Sequence, residues 1–276
     1  MNNFWKRTIT GTFFIIVVIA SIIYSWQSAF TLFFIISILG LLEFYKLISI
    51  STYKPLKAYG IIVAIFVWLV NTPILSYFYS DVKLDKLFAA LPPLLFLSLL
   101  LELFRKKENP MGNTAVTLLG VLYIPVSFTL LFDPVFILEA NATNYSYEGI
   151  IGIFIILWSN DTGAYLVGSK IGKNKLFERI SPGKTWEGTI GGAVFAVLAG
   201  YIVSKFYTIH NTTDWMAIAL IIAVIGTLGD LIESQLKRSV GVKDSGTILP
   251  GHGGILDRFD SFILIIPFIY FYLKVF

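Results

Sequence analysis

Apolar residues run along this chain in blocks of helix-spanning length, separated by short polar links. Roughly 20 such residues cross the hydrocarbon core of a bilayer. The pattern predicts nine spans, near 9–25, 27–47, 59–77, 88–104, 114–134, 148–168, 188–206, 215–233 and 259–275. Polar marks interrupt three of them. Asn71-Thr72-Pro73 lies inside the third. Glu43 in the second predicts a face turned to protein rather than lipid, because a carboxylate in hydrocarbon is costly. Pro125 in the fifth is tolerable as a kink, since neighbouring helices re-satisfy the freed backbone.

Charge tests this alternation. With the N-terminus in the cytoplasm, all of the 21 Lys and Arg residues except Lys83, Lys86, Lys205 and Lys274 fall in cytoplasmic parts. That is a positive-inside bias, and losing one span would scramble it downstream. Part of the bias could reflect substrate binding, because the last two cytoplasmic loops hold the unusual motifs. Lys6-Arg7 followed by an apolar run resembles the start of a signal peptide. The run is too long, lacks a small-residue cleavage site and is followed at once by a second apolar segment, so a retained first span is expected.

Composition agrees with the pattern. The chain is 56% hydrophobic and 14% charged, against about 25% charged in soluble domains, and its mean hydropathy is +0.78. A soluble all-helical core would not need so many uniform apolar blocks. The expected fold is therefore all-α and polytopic in a membrane. With no cysteine, disulfides and thiolate chemistry are excluded. The net charge of +4 favours anionic lipid heads or phosphorylated substrates only weakly, and no nucleic-acid partner is expected. Asn141-Ala-Thr, Asn144-Tyr-Ser and Asn211-Thr-Thr match a glycosylation pattern that is common by chance, and are read as ordinary polar loops. By character, residues 1–145 read as a transmembrane scaffold. Residues 146–276 read as the site-bearing region, with cytoplasmic loops 169–187 and 234–258.

Four polar constellations stand out in that region. Trp158-Ser-Asn-Asp-Thr-Gly-Ala-Tyr165 places Asp161 where it needs pairing, water or metal; the plainer reading is a helix-end cap at the interface. Gly168-Ser-Lys-Ile-Gly-Lys-Asn-Lys175 precedes Ile180-Ser-Pro-Gly-Lys-Thr-Trp-Glu-Gly188. Glycines admit close ligand approach, and lysines supply mobile positive charge. Gly183-Lys184-Thr185 looks like the end of a Walker A loop but lacks its first glycine, position 178 being Glu. A helix N-terminus after Ser181-Pro182 that could hold an anion is the better reading; a simple basic loop is the alternative.

The third constellation runs from Gly226 to Ser239. Asp230, Glu233 and Ser234 share a helix face by their spacing, and Glu233 stands four residues before Lys237. A surface ion pair between Glu233 and Lys237 would account for those two but not for Asp230. The fourth is Val242-Lys-Asp-Ser-Gly-Thr-Ile-Leu-Pro-Gly-His-Gly-Gly-Ile-Leu-Asp-Arg-Phe-Asp260. Its Asp257 and Asp260 are hard oxygen donors suited to Mg²⁺. His252 is a poor zinc candidate, because the other histidine, His210, falls on the opposite side of the membrane.

Together these motifs resemble the phosphatidate cytidylyltransferases, or CDP-diacylglycerol synthases. The resemblance rests on Ser234-x-Leu-Lys237-Arg238, Lys243-Asp244-Ser-Gly and Leu249-Pro-Gly-His252-Gly-Gly-Ile-Leu-Asp257-Arg258-Phe-Asp260. It extends to Ser159-Asn-Asp161-Thr-Gly-Ala-Tyr165, Gly168-x-x-x-Gly172, Ser181-Pro-x-Lys184-Thr-x-Glu187-Gly188 and Gly229-Asp230-x-x-Glu233-Ser234. The N-terminal half matches only in being hydrophobic.

The resemblance implies transfer of the cytidylyl group of CTP to phosphatidate in phospholipid biosynthesis. It also implies an all-helical membrane fold with a polar cavity open to the cytoplasm, a divalent cation, usually Mg²⁺, with a second cation left open, and a homodimer in the inner membrane. It gives Asp230 and Asp257 the metal, with Asp161, Glu233 and Asp260 assisting. Lys184, Lys237, Arg238 and Arg258 would handle phosphates. Ser159, Asn160, Ser181, Thr185 and Ser234 would hydrogen-bond nucleotide or lipid head. Gly251, Gly253 and Gly254 would shape the loop around His252, which would hydrogen-bond phosphate or position it, with acid catalysis the lesser alternative. Rival readings are a cytidylyltransferase for another lipid phosphate, a lipid kinase, and a transporter built on intramembrane carboxylates.

Overall fold

In the computed structural model the described residues are 3–70, 89–138, 144–248, 251 and 253–276, the first five of them as backbone. Asn71-Thr72-Pro73, Lys83, Lys86, Asn141, Leu249-Pro250 and His252 lie outside them.

Each apolar block read from the sequence contains a helix. These are α1 (Asn3–Tyr24), α2 (Trp26–Ile48), α3 (Lys57–Val70), α4 (Leu91–Arg105), α5 (Pro110–Leu130), α6 (Glu148–Ile171), α7 (Trp186–Phe206), α8 (Thr212–Ser239) and α9 (Leu256–Val275). Among the described residues α2, α5, α6, α7 and α8 are long and apolar enough to cross a bilayer. The protein is thus an all-α, multi-spanning membrane protein. A small antiparallel hairpin is added to the expected helices: β1 (Lys175–Phe177) pairs with β2 (Ser181–Thr185).

Two helices carry a π-turn. In α5 it spans Leu122–Val126 around Pro125, whose missing N–H disrupts the regular ladder. In α8 it spans Ile222–Gly226, directly before Thr227 and Asp230. Such widened turns often mark functional positions.

The chain forms two compact units. One comprises residues 1–18, 27–134 and 240–258; the other comprises 19–26, 135–239 and 259–276. In the first, Phe30, Phe33, Trp68, Phe128 and Phe132 form an aromatic cluster, and the Trp68 indole donates to Ser37 Oγ at 2.8 Å. Tyr45 donates to the Thr117 carbonyl at 2.7 Å. A Cβ at Gly60 or Gly120 would collide with its ring. The link before α3 is pinned by buried polar groups one turn apart on α5. Asn113 Oδ1 accepts from Lys54 N at 2.6 Å, and Thr117 Oγ1 accepts from Leu56 N at 2.9 Å. Buried backbone donors away from water need such partners.

The second unit is built on close helix approach. Gly188, Gly192, Ala196 and Gly200 recur every fourth residue on α7. Membrane helices associate through such small-residue stripes, which let backbones come together. A Cβ on Gly188 would stand 2.9 Å from the Ala164 carbonyl of α6, and one on Gly192 would stand 2.8 Å from the Asn160 carbonyl. Farther along, a Cβ on Gly200 would meet the Trp215 carbonyl of α8 at 2.9 Å. Leu220, Val224, Leu228 and Ile232, four apart on α8, are exposed, as an apolar face toward lipid requires.

Candidate active site

The close contact of α6 and α7 sets a polar cleft in the second unit. α7 begins at Trp186, where Thr185 caps it by accepting from Gly188 N at 3.1 Å. The helix expected to start after Ser181-Pro182 therefore starts later. Ser181–Thr185 is instead the outer arm of the hairpin, an edge where proline costs no ladder bond. Glu187 ties the hairpin's root to α7. Its carboxylate accepts from Lys173 N at 3.1 Å, from Asn174 N at 3.2 Å and from Asn174 Nδ2 at 2.7 Å.

With the hairpin fixed, Lys184 reaches α8. Its Nζ lies 2.6 Å from Asp230 Oδ2 and donates to the Thr227 carbonyl at 3.3 Å. Ser234 donates to the other Asp230 oxygen at 3.2 Å. Asn160, Asp161, Lys184, Thr185 and Asp230 all line a cleft of 360 Å³, with Gly168, Gly183 and Gly188 in its walls. That volume lies in the range of small-molecule sites, about 300–1,000 Å³.

Acidic groups gather beside Lys184. Asp161 interacts electrostatically with Lys184 and Asp230, and Asp260 with Asp230, Asp161 and Lys184. Three carboxyl groups thus surround one ammonium. Asn160 donates weakly to Asp161 at 3.4 Å, while its own buried Oδ1 accepts no hydrogen bond among the described residues. A buried acceptor of this kind calls for water or ligand.

Asp257 belongs to the first unit. Its Oδ2 accepts from Ser245 N at 3.0 Å, Ser245 Oγ at 3.0 Å and Gly254 N at 2.7 Å. Gly253 is in the left-handed region at φ +83°, and a Cβ there would stand 2.6 Å from the same oxygen. Gly251 is also left-handed, at φ +77°. Only glycine adopts this backbone without strain, which accounts for the run of glycines before Asp257.

Other expected residues are placed differently. Glu233 and Lys237 form a buried pair at 2.5 Å, with side chains 1% and 11% exposed, and neither lines the cleft. Ser159 donates back to the Ile155 carbonyl within α6 at 2.7 Å. Ser181 lies half-buried in the hairpin, and Arg238 and Arg258 are exposed. Tyr165 and Thr227, quoted within the motifs but given no role, and Ser261, which the sequence reading passed over, also line the cleft. The π-turn before Thr227 leaves no sequence signal beyond Gly226.

The donor chemistry fits a hard divalent cation. The charged acceptors are carboxylates, and Mg²⁺ typically takes one or two of these and fills its shell with substrate phosphates and water. Among the described residues no three acidic or imidazole groups come together tightly enough to hold an ion by themselves.

Comparison with known proteins agrees with these features. The model of the "Cytidylyltransferase family" matches residues 5–276. The chain is 35% identical over 277 residues to the phosphatidate cytidylyltransferase of Bacillus subtilis, covering 100% of both. It is 34% identical over 264 residues to that of Staphylococcus aureus, covering 95% of both. It is 35% identical over 233 residues to that of Staphylococcus haemolyticus, covering 83% of this chain and 85% of the relative. Matched along nearly its whole length, the hydrophobic N-terminal half included, this chain belongs to the cytidylyltransferase family.

Proposed function

We propose that the protein transfers the cytidylyl group of CTP to phosphatidate, giving CDP-diacylglycerol and pyrophosphate. The observation that carries this reading is the Lys184–Asp230 pair, held at 2.6 Å in a glycine-walled cleft with Asp161 beside it. A phosphatidate oxygen attacks the α-phosphorus of CTP, the bond to the bridging oxygen breaks, and pyrophosphate leaves. The nucleophile is already ionised at neutral pH, so no strong base is required.

Asp230 and Asp257 are each proposed as metal carboxylates, with Asp161 and Asp260 supporting the charge balance around Asp230. When bound, Mg²⁺ screens the two anionic reactants and stabilises charge on the leaving phosphate. Lys184 is positioned to exchange its bond to Asp230 for a phosphate oxygen. Thr185, already capping α7, holds Lys184 at the cleft. Gly168, Gly183 and Gly188 keep the walls thin enough for phosphate to approach the backbone. Asn160 offers its buried oxygen to an N–H donor of the nucleotide. Glu233 and Lys237 are read as a structural pair.

The same reading takes in nine spans, a cytoplasmic N-terminus, a site facing the cytoplasm of the bacterial inner membrane, and a homodimer. The test is purified protein in liposomes with labelled CTP, Mg²⁺ and phosphatidate. CDP-diacylglycerol and pyrophosphate are expected in equal amounts, and their absence from folded protein refutes the assignment. Exchanging phosphatidate for an ether-linked analogue distinguishes a relative specialised for other lipid phosphates.

A further inference from the structure

Glu43 on α2 is 4% exposed, in a half of the chain where the sequence motifs assign nothing. Its Oε2 accepts from Leu256 N at 3.0 Å and shares the one Ser245 hydroxyl proton, at 3.3 Å, with Asp257 Oδ2. The backbone closes on it from two directions. A Cβ at Gly246 would stand 2.4 Å from Oε1, and one at Gly254 would stand 2.4 Å from Oε2. Leu256 opens α9, so its N–H is one that the helix itself leaves unpaired. A carboxylate there also complements the positive end of the helix.

These contacts converge on Asp257. Ser245 and Gly254 are the residues whose N–H and O–H groups fix Asp257 Oδ2. Both also touch Glu43, Ser245 through its hydroxyl and Gly254 through its Cα face. Moving Glu43 therefore disturbs Ser245 and Gly254, both donors to Asp257 Oδ2. We infer that Glu43 is a positioning residue for Asp257. It fixes Ser245, Gly254 and the first turn of α9, and so the direction in which Asp257 presents its carboxylate to the cation. The inference rests on the reading of Asp257 as a metal carboxylate. Groups that orient metal ligands typically alter affinity by about 10- to 100-fold when removed.

The experiment uses the full-length protein in liposomes with Glu43→Gln, Ser245→Ala and Asp257→Asn. Three quantities are read: the Mg²⁺ dependence of turnover, Mn²⁺ affinity by electron paramagnetic resonance without substrates, and amide exchange of residues 243–257 without metal. Glu43→Gln should raise the half-saturating Mg²⁺ and the Mn²⁺ Kd by about 10-fold or more. Much of the rate should return at high Mg²⁺, and exchange in the loop should accelerate. Ser245→Ala should shift the same quantities in the same direction. It removes only a hydroxyl, so it carries the test if Glu43→Gln does not fold. If both variants keep the native Mg²⁺ and Mn²⁺ dependence while Asp257→Asn loses Mn²⁺, Glu43 is a helix cap alone and the inference fails. If Asp257→Asn keeps native Mn²⁺ binding and turnover, the reading of Asp257 falls first, and the inference with it.

Discussion

Lys237 separates a structural from a chemical role. The family resemblance puts it among the phosphate-handling groups, yet its Nζ lies 2.5 Å from Glu233 Oε2, with that carboxylate only 1% exposed. At this separation and an effective dielectric of about 20, the attraction is on the order of 7 kcal/mol. Desolvation of the two ions offsets most of it, so the intact pair adds little net stability. Removing one member is another matter, because it strands a buried charge at a cost of about 3–5 kcal/mol. Lys237→Met should therefore destabilise the protein by that amount. Lys237→Met combined with Glu233→Met should recover most of the loss, since a buried pair replaced by apolar groups is often neutral. The assay is equilibrium unfolding in mixed micelles, with CTP turnover measured on the same samples. If Lys237→Met costs less than about 1 kcal/mol, or the double variant is no more stable than the single, the buried-pair reasoning is wrong. A double variant that is stable yet inactive would return Lys237 to the phosphates.

Asp230→Asn should remove turnover by at least about 100-fold while leaving unfolding near native, because its carboxylate is one-third exposed and its loss strands only the partly exposed Lys184; near-normal turnover refutes its metal role. Gly192→Val should destabilise by about 1–3 kcal/mol, read from unfolding in micelles, because its Cβ would press on the Asn160 carbonyl at 2.8 Å. His210, in the link between α7 and α8, has its pKa pushed below the usual 6.5 by burial, against opposing pulls from Asp214 and Glu148. The unfolded chain then binds the proton more readily, so this stability contribution is complete above about pH 6.5 and is lost as pH falls through the folded pKa. Thermal midpoints between pH 8 and 5 should drop less steeply in His210→Phe than in the native protein, and identical slopes refute the assignment.

The helical part of this architecture was legible because lipid demands it. A span must be apolar over about 20 residues, and every backbone group must be satisfied within the segment. The blocks at 27–47, 148–168 and 188–206 consequently fall inside α2, α6 and α7 almost to the residue. The hairpin was not legible. Lys175-Leu-Phe and Ser181-Pro-Gly-Lys-Thr show no alternation, and Pro182 reads as a helix start. What decides the matter is tertiary: the Lys175 ammonium bonds the Pro182 carbonyl at 2.8 Å, Glu187 gathers the 173–174 amides, and Thr185 takes the cap. Asp161, Lys184 and Asp230 were legible as chemistry because charge in apolar sequence needs a reason. Their meeting in one cleft was not, since it depends on the hairpin's reach. Glu43 was legible only as a residue facing protein; its partners lie some two hundred residues away.

The charge balance of the cleft connects these placements to the reaction. Asp161, Asp230 and Asp260 gather three carboxyl groups around Lys184 before any substrate arrives. CTP and phosphatidate are anions, and each carboxyl that ionises there opposes their approach. A divalent cation reverses the sign of the problem, since it neutralises carboxylates and attracts phosphate in the same place. If Asp230 holds the cation as proposed, its 2.6 Å bond to Lys184 would weaken and the ammonium would become available to phosphate. On that proposal the Lys184–Asp230 pair is a resting arrangement, which satisfies a partly exposed lysine between turnovers and would couple the availability of positive charge to occupancy of the metal site.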